Sequence, residues 1–192
     1  MDSIAATAER ASKRMAEIEL ARNAVVAESR AAIRETKRVI HAVHVGEDRD
    51  LRAIREGAER LVSLTESEPS VSYSAVDALA ECAEALILCS ITDEGSVPSF
   101  ESLRMPAGAW ILGFADCIGE LRRMLLNDLA TGNTSHAEAL FKTMEEMFHA
   151  LMMLDVPDSV LPIRRKQDIA RGIMERTHSD LTSALVLRKS RT

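Results

Sequence analysis

Aromatic residues, paired cysteines and long apolar runs are all scarce in this 192-residue chain. Phe, Trp and Tyr together make up 3% of the residues, which disfavours a sheet protein because strands are rich in aromatic side chains. The three cysteines, Cys82, Cys89 and Cys117, form no CxxC pair, so neither a disulfide framework nor a zinc site is indicated. No apolar run approaches the roughly 20 residues of a membrane span, and no leader segment is recognisable at the N-terminus. We therefore expect a cytoplasmic protein with no membrane contact.

Basic residues are missing from one long stretch of the chain. No Lys or Arg occurs between Arg60 and Arg104, where eight Asp and Glu residues carry a charge of −8. The formal charge of the whole chain is −6, so this stretch accounts for more than all of it. From Leu161 onward, eight basic and three acidic residues give a local charge of +5. The net charge alone argues against a nucleic-acid partner, but its uneven distribution predicts separate tasks for separate elements.

The spacing of apolar residues predicts an all-α protein. Over the first 45 positions apolar residues recur at intervals of three and four, which predicts one long helix that Gly46 ends. Its expected inward positions are Met15, Ile18, Val25, Ile33, Ile40 and Val43, with Ser29 and Thr36 between them. Further helices are predicted over about 50–65, 71–91, 107–130, 135–154 and 163–187. We expect residues 1–192 to form a single domain, a bundle of six to seven helices with a long N-terminal helix.

Basic side chains cluster on one side of the predicted first helix. At 100° per residue, the side chains of this basic stripe, Arg30, Arg34, Lys37, Arg38 and His41, fall within about a third of the helix circumference. Arg outnumbers Lys by 19 to 5 in the chain, which favours bidentate contacts with phosphate. The stripe is therefore either an ordinary solvated helix face or a surface that binds phosphate groups.

Acidic residues occur inside two strongly apolar predicted helices. In the segment AVDALAECAEALIL, Asp77, Glu81 and Glu84 fall on one narrow strip. In the segment AWILGFADCIGELRRM, Asp116 and Glu120 are neighbours at the i,i+4 spacing. Ionised carboxylates in such surroundings are costly unless a cation or a hydrogen-bond donor neutralises them.

Two interpretations of these acids remain open. They could pair with Arg122, Arg123 or a distant Arg, or they could form a divalent-metal site from oxygen ligands. The absence of nearby basic residues favours the metal site. Gly108, Gly113 and Gly119 each cost about 1 kcal/mol in a helix relative to Ala, which indicates close helix contacts or room for a ligand.

Several stretches of the sequence resemble the translin family, which comprises translin, translin-associated factor X and prokaryotic relatives. They are SRAAIRETKRVIHAVHVGE, GFADCIGELRRMLLNDLATGN with the later FHALMMLDVPDSV, and IRRKQDIARGIMERTHSDLTSAL. These stretches keep their order over residues 29–187. The resemblance implies an all-helical subunit that assembles into closed homo-oligomers, often octamers, and binds single-stranded RNA or DNA.

Two motifs are similar to the catalytic branch of the family, translin-associated factor X. That branch carries a Mg²⁺-dependent endoribonuclease site with two glutamates three apart on one helix and an aspartate in an ADxxGEL motif on the next. The segment AECAEA supplies Glu81 and Glu84, and ADCIGEL supplies Asp116 with Glu120 one turn further on. The resemblance implies that Glu81, Glu84 and Asp116 bind Mg²⁺ or Mn²⁺. With Glu120, they are the expected catalytic residues in the cleavage of single-stranded RNA.

Phosphate contacts are expected to dominate nucleic-acid binding, because few aromatic side chains are available to stack on bases. The expected contact residues are Arg30, Arg34, Lys37, Arg38, Arg122, Arg123, Arg164, Arg165 and Lys166. One alternative is a non-catalytic oligomer that binds single-stranded RNA or DNA and uses the acids for structure. A third is a purely structural helical assembly.

Overall fold

The structure is a computed structural model that describes residues 3–189. It contains six α-helices: α1 (Ile4–Val45), α2 (Arg52–Ser67), α3 (Val76–Glu94), α4 (Ala107–Thr131), α5 (Thr134–Met152) and α6 (Ile163–Lys189). A 3-10 helix, Pro69–Ser74, lies between α2 and α3. No strand occurs within residues 3–189, so the prediction of an all-α bundle is confirmed. Expectations that involve Met1, Asp2 and residues 190–192 lie outside the described residues.

Glycines end two of the helices where the sequence predicts a stop. Gly46 ends α1 with a φ of +70°, and Gly132 ends α4 with a φ of +81°. Both values lie in the left-handed region, which glycine enters without steric cost. The start of α3 differs from its prediction near Val71, because residues 69–74 form 3-10 turns instead. Buried Val71 and Ala75 are four residues apart, and their spacing does not distinguish a 3-10 turn from an α-helical one.

Helices α3 and α4 form the central pair of the bundle. α3 packs against α1 and α2 on one side and against α4 on the other, while α4 also contacts α5 and α6. α3 is the most buried element, with eleven buried residues among its nineteen. The acidic residues of α3 and α4 therefore lie where the two halves of the bundle meet.

The N-terminal half of α1 contributes little to the core. Buried side chains in this helix begin at Val25, and Met15 is 62% exposed. The prediction that Met15 points inward is therefore wrong, because apolar spacing within a helix does not show whether another element covers it. Among residues 3–189, no helix is both long enough and apolar enough to cross a membrane.

Candidate metal and RNA site

Glu81 and Glu84 lie on the side of α3 that borders α1 and α4. They are three residues apart, which places both carboxylates on one face of the helix. Both residues are half-buried, although most of the residues around them in α3 are fully buried. The hydroxyl of Thr36, on the buried face of α1, lies 3.5 Å from Glu81 Oε2. α1 thus supplies one polar neighbour for the acids of α3.

Gly113 allows α4 to approach the backbone of α3 beside these glutamates. A Cβ at this position would lie 2.6 Å from Glu84 N and 2.7 Å from Ala83 Cβ, and closer still to the carbonyl oxygen of Ala80. Asp116 follows Gly113 by three residues and therefore lies on the same side of α4. The close approach brings Asp116 towards Glu84 and confirms the prediction that a glycine of this helix marks a close helix contact.

Glu84 has the most perturbed carboxyl group of the site. Burial above all, and then the neighbouring carboxylates of Asp116, Glu120 and Glu81, raise its pKa to about 8, while Lys166 acts in the opposite direction. Like charges at close range favour the protonated form of a carboxyl group. The structure therefore brings the other three sequence-predicted acids within electrostatic range of Glu84.

Asp116 faces a cation from α6. Lys166 Nζ donates hydrogen bonds to both carboxylate oxygens of Asp116, at 2.6 Å each. The pair lines a cavity of about 530 Å³ between α3, α4 and α6, together with Asp77, Glu81 and Arg165. Asp116 and Lys166 are only partly buried, so solvent and solutes reach them through this cavity.

Glu120 faces the end of α1 rather than the cavity. Its Oε2 is in hydrogen-bond contact with Nε2 of His44, whose side chain is only 7% exposed. Arg123 lies one turn further along α4, with NH1 3.8 Å from the same carboxylate oxygen. The sequence did not single out His44, so this contact was missed. The lack of any basic residue between Arg60 and Arg104 was the available signal, since it required partners from distant segments.

The four carboxylates suit a hard divalent cation in their chemistry. Oxygen ligands on two adjacent helices are what Mg²⁺ and Mn²⁺ prefer, and the raised pKa of Glu84 reflects its burial first and the neighbouring negative charges second. Within residues 3–189, however, no three Asp, Glu, His or Cys side chains are already gathered closely enough to hold an ion. A cation at Glu81, Glu84 and Asp116 therefore requires side chains to turn, and the ammonium of Lys166 has to leave Asp116.

The basic stripe of α1 is exposed but faces away from the acids. Arg30, Arg34, Lys37 and Arg38 are all exposed, and Arg38 forms an ion pair with Glu35 at 2.8 Å. At 100° per residue they are centred roughly 140° around α1 from Thr36, which touches Glu81. The stripe and the acids of one chain thus lie on opposite sides of α1.

The other predicted phosphate-binding residues are in different surroundings. Arg122 donates to Thr177 Oγ1 and to Asp180 Oδ2, at 2.7 Å each, so it ties α4 to α6. Arg123, Arg164 and Arg165 are exposed. Of these three, Arg165 lines the cavity beside Asp116. Arg165 is therefore the exposed predicted cation that shares this cavity with Asp116, while Arg123 lies beside Glu120.

Several known proteins are similar to this chain in sequence or in structure. No protein-family model matches the chain. The uncharacterized protein MJ0175 of Methanocaldococcus jannaschii is 37% identical over 161 residues, which cover 81% of this chain and 72% of that protein. The crystal structure of AfC3PO is 31% identical with a TM-score of 0.77, and the alignment covers 95% of this chain and 98% of that chain.

Two further solved structures are similar. A structure of AfC3PO in complex with duplex RNA is 30% identical with a TM-score of 0.79, over 95% of this chain and 98% of that chain. Apo-NeC3PO has a TM-score of 0.84 over 95% of this chain and 100% of that chain. Its identity is 20%, so this last likeness concerns the fold alone.

Proposed function

Because this chain belongs to the translin-like family of the C3PO structures, we propose that it binds RNA and hydrolyses single-stranded RNA with the help of a divalent cation. The observation that carries this proposal is the convergence of Glu81, Asp116 and Glu120 on the half-buried carboxyl of Glu84. Glu81 and Glu84 form no ion pair among residues 3–189, and half-buried acids without a cation are costly for a fold that uses them only for structure. The spacing of Glu81, Glu84 and Asp116 also matches the motifs that resemble the catalytic branch of the family.

In this proposal Glu81, Glu84 and Asp116 hold Mg²⁺ or Mn²⁺. A bound divalent cation supplies charge stabilisation for a phosphodiester and makes a water molecule more acidic. Glu84 contributes a carboxyl that retains its proton near neutral pH and releases it when positive charge arrives. Glu120 lies one turn along α4 from Asp116, is held by His44 of α1, and orients the attacking water from the edge of the site.

The cavity beside Asp116 favours a single strand as the substrate for cleavage. Its volume of about 530 Å³ is that of an ordinary small-molecule pocket, which holds a nucleotide or so and excludes a duplex. Arg165 lines this cavity and binds a phosphate next to the reacting one. AfC3PO has been captured with duplex RNA, so duplex binding at another surface is compatible with cleavage of single strands.

The test is cleavage of a short fluorescein-labelled single-stranded RNA in the presence of Mg²⁺ or Mn²⁺. We expect cleavage that EDTA abolishes, and loss of activity of at least about a hundredfold in E84Q and in D116N. E94Q is the matched control, because Glu94 ends the same helix and faces Ser90 rather than the acids. If the wild type leaves the RNA intact with both metals, or if E94Q loses as much activity as E84Q, the nuclease proposal is wrong.

A second candidate function is RNA or DNA binding without catalysis. The two hydrogen bonds from Lys166 to Asp116 favour it, because they neutralise one acid within the chain. In that case the basic stripe accounts for binding. Replacing Arg34 and Arg38 together by Gln is expected to make the plot of log K against log salt concentration less steep, where K is the association constant for single-stranded RNA. The slope should fall by about 0.7 for each lost phosphate contact. The control is R52Q, since Arg52 is an exposed arginine of α2 paired with Asp50.

We also propose that the protein works as a homo-oligomer, with the family octamer as the expected form. Large apolar side chains remain exposed on several elements of one chain, at Leu20 on α1, Met153 after α5, and Val186 and Leu187 on α6. Such side chains gain free energy when a second copy covers them. Sedimentation velocity on the wild type checks the subunit number, and a monomer at micromolar concentration would contradict the proposal.

A further inference from the structure

Lys166 is bound to Asp116, one of the three carboxylates proposed to hold the divalent cation. Its ammonium contacts both oxygens of Asp116 at the same distance, 2.6 Å, so it takes the lone pairs that face the cavity. The side chain of Lys166 is 30% exposed and that of Asp116 is 37% exposed. An ion pair at this degree of exposure is stabilised only modestly, because water screens it and can solvate both partners when they separate.

The backbone of α6 holds Lys166 in register with Asp116. Ile163 and Ala170 are buried on either side of it along the helix. The side-chain amide of the next residue, Gln167, donates hydrogen bonds to the backbone carbonyl oxygens of Leu151 and Leu154, at 2.9 Å each. The ammonium is therefore delivered to Asp116 by a rigid segment, while the flexible side-chain stem allows it to leave.

We propose that Lys166 is a positioning residue that serves as a displaceable counter-ion: it neutralises Asp116 in the metal-free site and competes with the divalent cation for that carboxylate. The inference rests on the proposed function, because it assumes that Asp116 binds a metal. Lys166 pairs with Asp116, and His44 and Arg123 lie beside Glu120. Glu81 and Glu84 have no ion pair among the described residues, so a divalent cation compensates the site better than Lys166 does. Lys166 thereby keeps the empty site folded and lowers its affinity for metal.

Lysine is better suited to this role than arginine. Its ammonium is a compact point charge on a flexible stem, whereas a guanidinium would grip both oxygens of Asp116 in a fixed bidentate geometry. K166R is therefore expected to bind metal more weakly than the wild type. K166M removes the competing charge and keeps an unbranched side chain of similar length.

The experiment titrates each variant with Mn²⁺ and measures free Mn²⁺ by electron paramagnetic resonance, without RNA. We expect K166M to bind Mn²⁺ about tenfold more tightly than the wild type, and K166R to bind it less tightly. R165M is the matched control, since Arg165 lines the same cavity. It should change the affinity by no more than about twofold, because an exposed charge that is not paired with Asp116 is largely screened. In a D116N background the gain from K166M should be much smaller, because most of it acts through the contact between Lys166 and Asp116.

Three results would overturn the inference. They are an unchanged or weaker Mn²⁺ affinity in K166M, an equal gain in R165M, and a full gain from K166M in the D116N background. If K166M does not fold, K166Q replaces it, with the same expected gain in Mn²⁺ affinity. The inference and the nuclease proposal fail separately: wild type that cuts RNA while K166M binds Mn²⁺ no more tightly contradicts only the inference. Tighter Mn²⁺ binding in K166M without RNA cleavage by the wild type contradicts only the nuclease.

Discussion

Replacing Gly113 by Ala tests the helix contact on which the candidate site depends. An ordinary contact of a Cβ atom begins near 3.4 Å, but the added Cβ would lie 2.6 Å from Glu84 N, a shortfall of 0.8 Å. The atoms that it meets include backbone of α3, which cannot turn aside as a flexible side chain would. α3 and α4 therefore have to separate along the central interface of the bundle.

The expected loss of stability follows from two opposing effects. Overpacking a close-packed interior costs about 1–3 kcal/mol, and the rigid neighbours place G113A at the upper end of that range. Replacing Gly by Ala inside a helix returns about 1 kcal/mol of helix propensity. We expect G113A to lower the free energy of unfolding by about 2 kcal/mol.

Gly119 provides the matched control in the same helix. A Cβ at Gly119 meets only Ile173 Cδ1, at an ordinary 3.8 Å, so G119A is expected to stabilise the protein by about 0.5–1 kcal/mol. Urea unfolding followed by circular dichroism at one protein concentration measures both variants, since assembly also contributes to stability. A midpoint for G113A at or above that of the wild type would refute the reasoning, as would an equal loss in G119A.

Three further predictions concern single side chains. Urea unfolding measures the free energy of unfolding in each case. The pKa of Glu84 is raised from 4.5 to about 8, so the stability of the fold is highest below pH 4.5 and falls as the pH rises from there through about 8. E84Q lacks this loss and should gain about 3 kcal/mol on the wild type between acidic and alkaline pH. No pH-dependent gain in E84Q would contradict the raised pKa. H44A leaves the carboxylate of Glu120 without its buried donor and should lower the free energy of unfolding by about 1–2 kcal/mol. H44Q should recover part of this loss. Equal stability of H44A and the wild type would contradict the contact. R122M breaks the link from α4 to α6 and should lower the free energy of unfolding by about 1–2 kcal/mol. R123M, at the exposed neighbour, should change it by no more than about 0.5 kcal/mol. Equal effects of the two variants would contradict a linking role for Arg122.

Most of the helix pattern could be predicted from the sequence, because local signals determine it. The glycines at Gly46 and Gly132 end helices through their own backbone preference. The long first helix was predicted correctly, but its N-terminal part was expected to be partly buried and is largely exposed. Met15 continues the apolar spacing of α1 and is nevertheless exposed, because burial depends on what lies opposite a residue.

The acids of the candidate site were also recognisable from the sequence. Glu81 and Glu84 share a helix face by spacing alone, and the absence of local basic residues indicated that their partners are distant. Which partner each acid acquires could not be predicted. Sequence reasoning considered Arg122 as a partner, but that residue contacts α6 and the ammonium of Lys166 faces Asp116 instead.

The sequence by itself thus determined the helices, their ends and the faces that carry acidic and basic side chains, since these depend on interactions within a few turns of one helix. The tertiary structure alone decided which charges meet. Lys166 is separated from Asp116 by 50 residues, and His44 from Glu120 by 76, so only the packing of α1 and α6 against the central pair brings them together. The same packing puts the basic stripe on the far side of α1 from the acids, because a helix that buries one face against its neighbours exposes the opposite one.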